Sequence, residues 1–231
     1  ISLAVAMALA AGVFFASVNG ELSKAADDDP RVWEPDIARF EREDRKHPPP
    51  PDAVLFVGSS SIRFWHSLAE DMAPLVTIRR GFGGARINDV IHYADRLITQ
   101  HSPSKVVIFV GSNDINVSDT PMDAVAVIAE GLEQLVGIIH EARPDTEIYY
   151  IAITPTRYSW HKRDAVQAAN EAAEAVMAQN SRTHFIATWN LFLDANGEPD
   201  RNLYWLDGLH LSEEGYRRWT GRIRPILMSD R

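Results

Sequence analysis

The chain contains no cysteine. Disulfide frameworks, thiolate metal sites and cysteine nucleophiles are therefore excluded, and the compartment cannot be read from redox chemistry. Positive charge is scarce as well: 23 Lys and Arg stand against 32 Asp and Glu, a formal net charge of −9. No basic run reverses that balance, so a nucleic-acid partner is not expected. Internal repeats and low-complexity blocks are missing too. Long apolar runs occur in one place only, at the start, where "ISLAVAMALAAGVFFASV" is uninterrupted from Leu3 to Phe15.

That run has the character of the h-region of a secretory signal, with small residues following and a processing point near Gly20 or Ala25. The alternative is an uncleaved membrane anchor. Either way the remaining chain would work outside the cytoplasm, periplasmic or secreted, and would meet a membrane only if the segment is retained. Residues 1–25 are read as signal or anchor and residues 26–51 as an N-terminal helix with a Pro-rich connector. Residues 52–231 form one domain with an ample core.

The helix is "EPDIARFEREDRKH", with Pro35 in its first turn and Trp33, Ile37 and Phe40 on one side. "HPPPPD" then forces an extended connection. From there the chain alternates. "AVLFVG", "LVTIRRG", "KVVIFVG", "EIYYIAIT" and "THFIAT" are apolar or β-branched runs. Between them lie helical stretches: residues 62–70, "INDVIHYADRLITQH", a long helix opened by Pro121, and "DAVQAANEAAEAVMAQN". "SEEGYRRWTGRIRPILM" closes the chain, helical at least to Pro225. Strands apolar throughout and separated by amphipathic helices indicate an α/β fold. The expected form is a three-layer α/β/α sandwich around a five-stranded parallel sheet. Such sheets bind ligands beyond the carboxyl ends of their strands, so functional residues are expected just after the apolar runs.

Four polar punctuations fall there: Gly58-Ser59-Ser60-Ser61, Gly81 to Ala85, Gly111 to Asp114, and, in a loop beyond the fifth strand, Asp207 to His210. Each alone has a dull explanation as a turn, a cap or a surface pair. Together they supply what acyl transfer needs. A hydroxyl requires an imidazole base oriented by a carboxylate, and the attacked carbonyl requires preorganised N–H donors. Ser60 is the preferred nucleophile, with Ser59 and Ser61 as the alternatives. Ser59 is expected to brace the loop and Ser61 to cap the next helix.

"FVGSSSI", "GFGGA", "VGSND" and "DGLHLSEEGY" resemble, in order, the four signature blocks of the SGNH (GDSL-type) hydrolases, over about residues 52–227. The likeness extends to the platelet-activating-factor acetylhydrolase-like branch. One position departs from the pattern, since Ser59 stands where the family commonly has Asp. The resemblance implies a flavodoxin-like fold and a serine esterase acting through an acyl-serine. It implies Ser60 as nucleophile, Asp207 as carboxylate and His210 as base. The oxyanion donors it implies are the Ser60 and Gly84 amides and the Asn113 side chain. No cofactor or metal is implied.

Substrate is less legible. The absence of a large inserted lid points to short acyl groups, and the family implies small-molecule esters such as an acetylated sugar or aryl ester. "TPTRYSWHKRD" and "FLDANGEPDRNLYW" are expected to line the pocket, with Arg157, Tyr158, Trp160, Tyr204 and Trp205 as candidate contacts. Three rival readings stand beside this one. Asp207, His210 and Asp114 could hold a divalent ion in another kind of hydrolase. The domain could be a non-catalytic binding module. The same site could instead belong to an acyltransferase, which passes the acyl group to a sugar hydroxyl, or to a carbohydrate O-acetyl esterase. Oligomeric state is not addressed by the sequence.

Overall fold

The structure, a computed structural model, describes residues 23–229. The stretch read as signal or anchor therefore lies almost wholly outside the described residues. Among the described residues, no helix is long and apolar enough to cross a membrane.

Five parallel strands form one sheet: β1 (Val54–Gly58), β2 (Thr77–Gly81), β3 (Lys105–Phe109), β4 (Glu147–Ile151) and β5 (Thr183–Ile186). Their order is β2-β1-β3-β4-β5, the doubly wound flavodoxin-like arrangement. The α-helices are α1 (Glu34–Lys46), α2 (Ser60–Arg63), α3 (Leu68–Asp71), α4 (Ile87–His92), α5 (Ala94–Leu97), α6 (Ser112–Val117), α7 (Asp123–Ala142), α8 (Arg163–Gln179) and α9 (Glu213–Met228).

β1 shows why the runs read as buried strands. Leu55 and Val57 enter the core shared with α1, α4, α7 and α8. Val54 and Phe56, on the opposite face, pack with Trp65, Trp219 and the apolar side of α9. Both faces are covered, so no position needs to be polar. Burying each such side chain contributes about 1.5–3 kcal/mol. The N-terminal helix shares this core: Trp33, Ile37 and Phe40 are buried in the same cluster as Leu55 and Val57. Arg80 of β2 and Asp44 of α1 pair at 2.5 Å across that contact.

Two helical expectations need correction. The stretch expected over 62–70 is two short pieces, α2 and α3, and the first begins at Ser60. Ser59, not Ser61, is the N-cap residue, while Ser61 lies within the turn. The stretch after Ile87 likewise divides at Tyr93 into α4 and α5. The last helix continues through Pro225 to Met228.

Candidate active site

In this strand order the connections diverge between β1 and β3, where sheets of this kind form a ligand-binding crevice beyond their carboxyl ends. Gly58 and Phe109 are register partners there. Gly58 holds φ +147°, and a Cβ on it would fall 1.9 Å from the Phe109 carbonyl oxygen. The chain can turn out of β1 this tightly only with glycine. Ser59 follows, buried, its N–H donating to the same Phe109 carbonyl at 3.1 Å. Its own carbonyl accepts from Ile62 and Arg63, both at 3.1 Å, which starts α2. Ser60 is thus the first residue of a helix, and its amide has no partner inside that helix.

The far end of the chain comes to meet it. Ser60 Oγ lies 3.0 Å from His210 Nε2. The other ring nitrogen, Nδ1, is 2.8 Å from Asp207 Oδ2. Asp207 Oδ1 accepts the backbone N–H groups of Leu209 and His210 at 2.9 and 3.0 Å. Burial alone would raise the Asp207 pKa. The hydrogen bonds from His210 and from these two amides outweigh it and hold the carboxyl below its ordinary value. A charged Asp207 keeps the imidazole oriented with Nδ1–H toward it, which turns Nε2 toward the serine hydroxyl as a proton acceptor. His210 is 2% exposed and Ser60 9%, so the hydroxyl–imidazole pair is largely shielded from water.

The loop after β2 is tied to the same crevice. Phe82 N–H donates to the Gly58 carbonyl at 3.0 Å, and Gly84 takes a left-handed conformation at φ +78°. Asn113, buried on α6, donates Nδ2–H to the Ala85 carbonyl at 3.0 Å. An amide carries two N–H bonds, so one hydrogen remains to be offered. Asp114, beside it, receives the Ile87 N–H at 3.2 and 3.3 Å. Burial pushes its pKa up to about 7. Turned to Ile87, Asp114 does not join Asp207 and His210 as the metal alternative required. Among the described residues, no cluster of His, Cys, Asp or Glu could hold an ion.

The candidate pocket residues separate. Trp205 lies beside the base, 6.0 Å from the His210 ring. Tyr158 is half exposed and its N–H donates to the Gly208 carbonyl at 3.0 Å, which sets the exposed Arg157 and Tyr158 against the Asp207–His210 turn. Trp160 stacks on Trp189 at 6.1 Å, with the Arg163 guanidinium over its ring. Tyr204 does not line the site: it is buried, and its hydroxyl donates to the Pro155 carbonyl. Its role is to fasten the loop after β4 to the stretch before Asp207.

Two residues near the site were not anticipated. Phe64 sets its ring edge-on to His210 at 5.0 Å and lies 5.6 Å from Trp205. Its place four residues after Ser60, one helical turn on, was the available signal. Lys162 donates to the carbonyls of Ile115, Asn116 and Ser118 at 2.9, 2.8 and 3.2 Å. It thereby caps the carboxyl end of the helix that carries Asn113.

A hydroxyl, imidazole and carboxylate in one hydrogen-bonded line, at the switch point of a parallel sheet, form the constellation of an acyl-transferring hydrolase. The chain belongs to the GDSL-like lipase/acylhydrolase family, whose model matches residues 56–218, and it is a carboxylic ester hydrolase. No curated protein is a significant match. Solved structures share the fold. A Streptococcus pneumoniae protein provisionally described as a platelet activating factor is 20% identical, with TM-score 0.72 over 95% of this chain and 99% of its own. A variant of an acetyl-xylooligosaccharide esterase from Geobacillus stearothermophilus is 14% identical, with TM-score 0.64 over 78% and 95%. A family 3 carbohydrate esterase from Clostridium thermocellum is 19% identical, with TM-score 0.59 over 77% and 98%.

Proposed function

We propose that the protein is a serine esterase that removes short, acetyl-like acyl groups from small-molecule esters through an acyl-serine intermediate. The observation that carries this reading is the line Ser60 Oγ–His210 Nε2–His210 Nδ1–Asp207 Oδ2, with spacings of 3.0 and 2.8 Å across the two hydrogen bonds. His210 takes the proton from Ser60 as the hydroxyl oxygen bonds to the ester carbonyl carbon. The oxyanion receives hydrogen bonds from the Ser60 and Gly84 amides and from Asn113 Nδ2. As the carbon–oxygen bond to the alcohol breaks, His210 hands that alcohol its proton. Water, deprotonated in turn by His210, then releases the acid and restores Ser60.

Short acyl groups suit a nucleophile only 9% exposed. An acetylated carbohydrate suits the aromatic rim of Phe64 and Trp205, and two of the fold's other members are carbohydrate esterases. The platelet-activating-factor acetylhydrolase-like branch, inferred from the blocks, is consistent with the same acyl size. The enzyme is exported by its N-terminal apolar segment. Processing nearer Gly20 than Ala25 is favoured by Lys24, which pairs with Asp36 at 3.3 Å.

The test is hydrolysis of p-nitrophenyl esters from acetyl to palmitoyl, beside acetylated sugars, by the native enzyme and Ser60→Ala. Ser60→Ala is expected to lose about 10⁴-fold or more of kcat with an unchanged far-ultraviolet spectrum. Full turnover in that variant would end the nucleophile assignment. A steep preference for palmitoyl would end the short-acyl assignment.

A further inference from the structure

Beside the catalytic line lies a cleft of about 380 Å³ whose charge the proposed mechanism does not use. Arg39 and Glu43 of α1 line one side and Arg79 of β2 another. Arg63, the last residue of α2, and His66 line the remainder. Phe64 joins this cleft to the catalytic base, its ring centroid 5.0 Å from that of His210 and 6.4 Å from that of His66.

The cations in the cleft are not all answered by carboxylates. Arg39 pairs with Asp36 at 3.7 Å and with Glu43 at 3.2 Å. Arg79 is half-buried and donates Nη1 to the Trp65 carbonyl at 2.7 Å. Among the described residues, no carboxylate lies within ion-pair distance of it. Its neighbour Arg80, on the opposite face of the sheet, has Asp44. A guanidinium drawn out of water with a carbonyl as its partner lacks the countercharge that buried cations normally have. Burial lowers the Arg79 pKa accordingly. His66 is lowered too, first by its own burial and then by Arg79 and Arg63. The local potential is therefore positive in a chain of net charge −9.

We propose that this cleft is an anion subsite holding a phosphate group carried on the alcohol portion of the ester, gripped by Arg79. With only its Nη1 engaged by the Trp65 carbonyl, the Arg79 guanidinium can present paired N–H donors to a tetrahedral oxyanion. The subsite rests on the reading of Ser60 as nucleophile, since it defines which end of the substrate faces Phe64.

Two matched pairs test it: 1-acetylglycerol 3-phosphate against 1-acetylglycerol, and 3-O-acetylglucose 6-phosphate against 3-O-acetylglucose. At low ionic strength the phosphorylated member of at least one pair is expected to show a kcat/KM about 10-fold higher, an advantage that shrinks as salt is added. The glycerol pair identifies a lipid-like source of the phosphate and the glucose pair a carbohydrate source. Arg79→Gln is expected to bring the ratio close to one, and a ratio within one preparation does not depend on how much of the variant folds. Ratios near one for the native enzyme in both pairs would overturn the proposal. Calorimetric titration with glycerol 3-phosphate separates the two readings. Binding to Ser60→Ala that Ser60→Ala/Arg79→Gln lacks supports the subsite even if no ester is cleaved, and no heat with either refutes it.

Discussion

Replacing Asp114 with asparagine is expected to change how stability depends on pH, and the size follows from its surroundings. The carboxyl is almost wholly enclosed. It accepts the Ile87 N–H, the charges of Arg86 and Asp89 act on it in opposite directions, and burial lifts its pKa from the ordinary 3.8 to about 7. At pH 5 the folded protein therefore holds a proton here that the unfolded chain has released. The sign follows: stability from this group is full below about pH 4, fades as pH rises toward 7, and is gone above that. Integrated between pH 5 and pH 8, the loss is about 2–3 kcal/mol. Asparagine can still accept from Ile87 but cannot titrate. Its own costs, such as an unpaired buried amide hydrogen, are the same at every pH and cancel in the comparison. Urea unfolding at pH 5, 6, 7 and 8, followed by the fluorescence of the buried Trp33, Trp65 and Trp219, measures the difference. The native protein should lose about 2–3 kcal/mol more than Asp114→Asn across that range. Parallel curves, within about 0.5 kcal/mol, would refute the argument that burial governs this carboxyl.

Asn113→Ala removes a proposed oxyanion donor and is expected to lower kcat on p-nitrophenyl acetate by about 10²–10³-fold with little change in KM. A loss below about threefold would take Asn113 out of the oxyanion site. Gly58→Ala drives a methyl group toward the Phe109 carbonyl at a backbone angle of φ +147°. It should cost about 3 kcal/mol or more of stability, and a native-like urea midpoint would show that the β1–β3 contact can yield.

The strands were legible because the chemistry of a two-faced interior is local: residues 53–57 and 106–110 have to be apolar wherever the chain goes afterwards. The order of polar punctuations was legible for a related reason, since each follows a strand and a parallel sheet gathers strand ends on one edge. What escaped depends on distant partners. The spacing of Phe64 from Ser60 sets it one turn on, but does not announce that residue 210 will arrive beside it. The doublet Arg79-Arg80 does not disclose that one member will find Asp44 and the other a cleft. Tyr204 and Trp205 look equivalent in sequence, yet the backbone alternates, and Tyr204 turns to Pro155 while Trp205 turns to His210. The helix expected from residue 62 failed for a local reason: the Ser59 carbonyl captures the Ile62 and Arg63 amides and starts the turn at Ser60.

The pairing of Gly58 with Phe109 separates two kinds of heredity within one site. Ser60 and Asn113 follow neighbouring strands whose spacing is dictated by backbone hydrogen bonds, so the proposed nucleophile and oxyanion donor inherit their separation from the sheet. Trp205 and His210 ride on a long excursion from β5. Variants of that excursion can be exchanged to reshape what the enzyme accepts, provided the imidazole returns to the same spot above a pedestal that does not change.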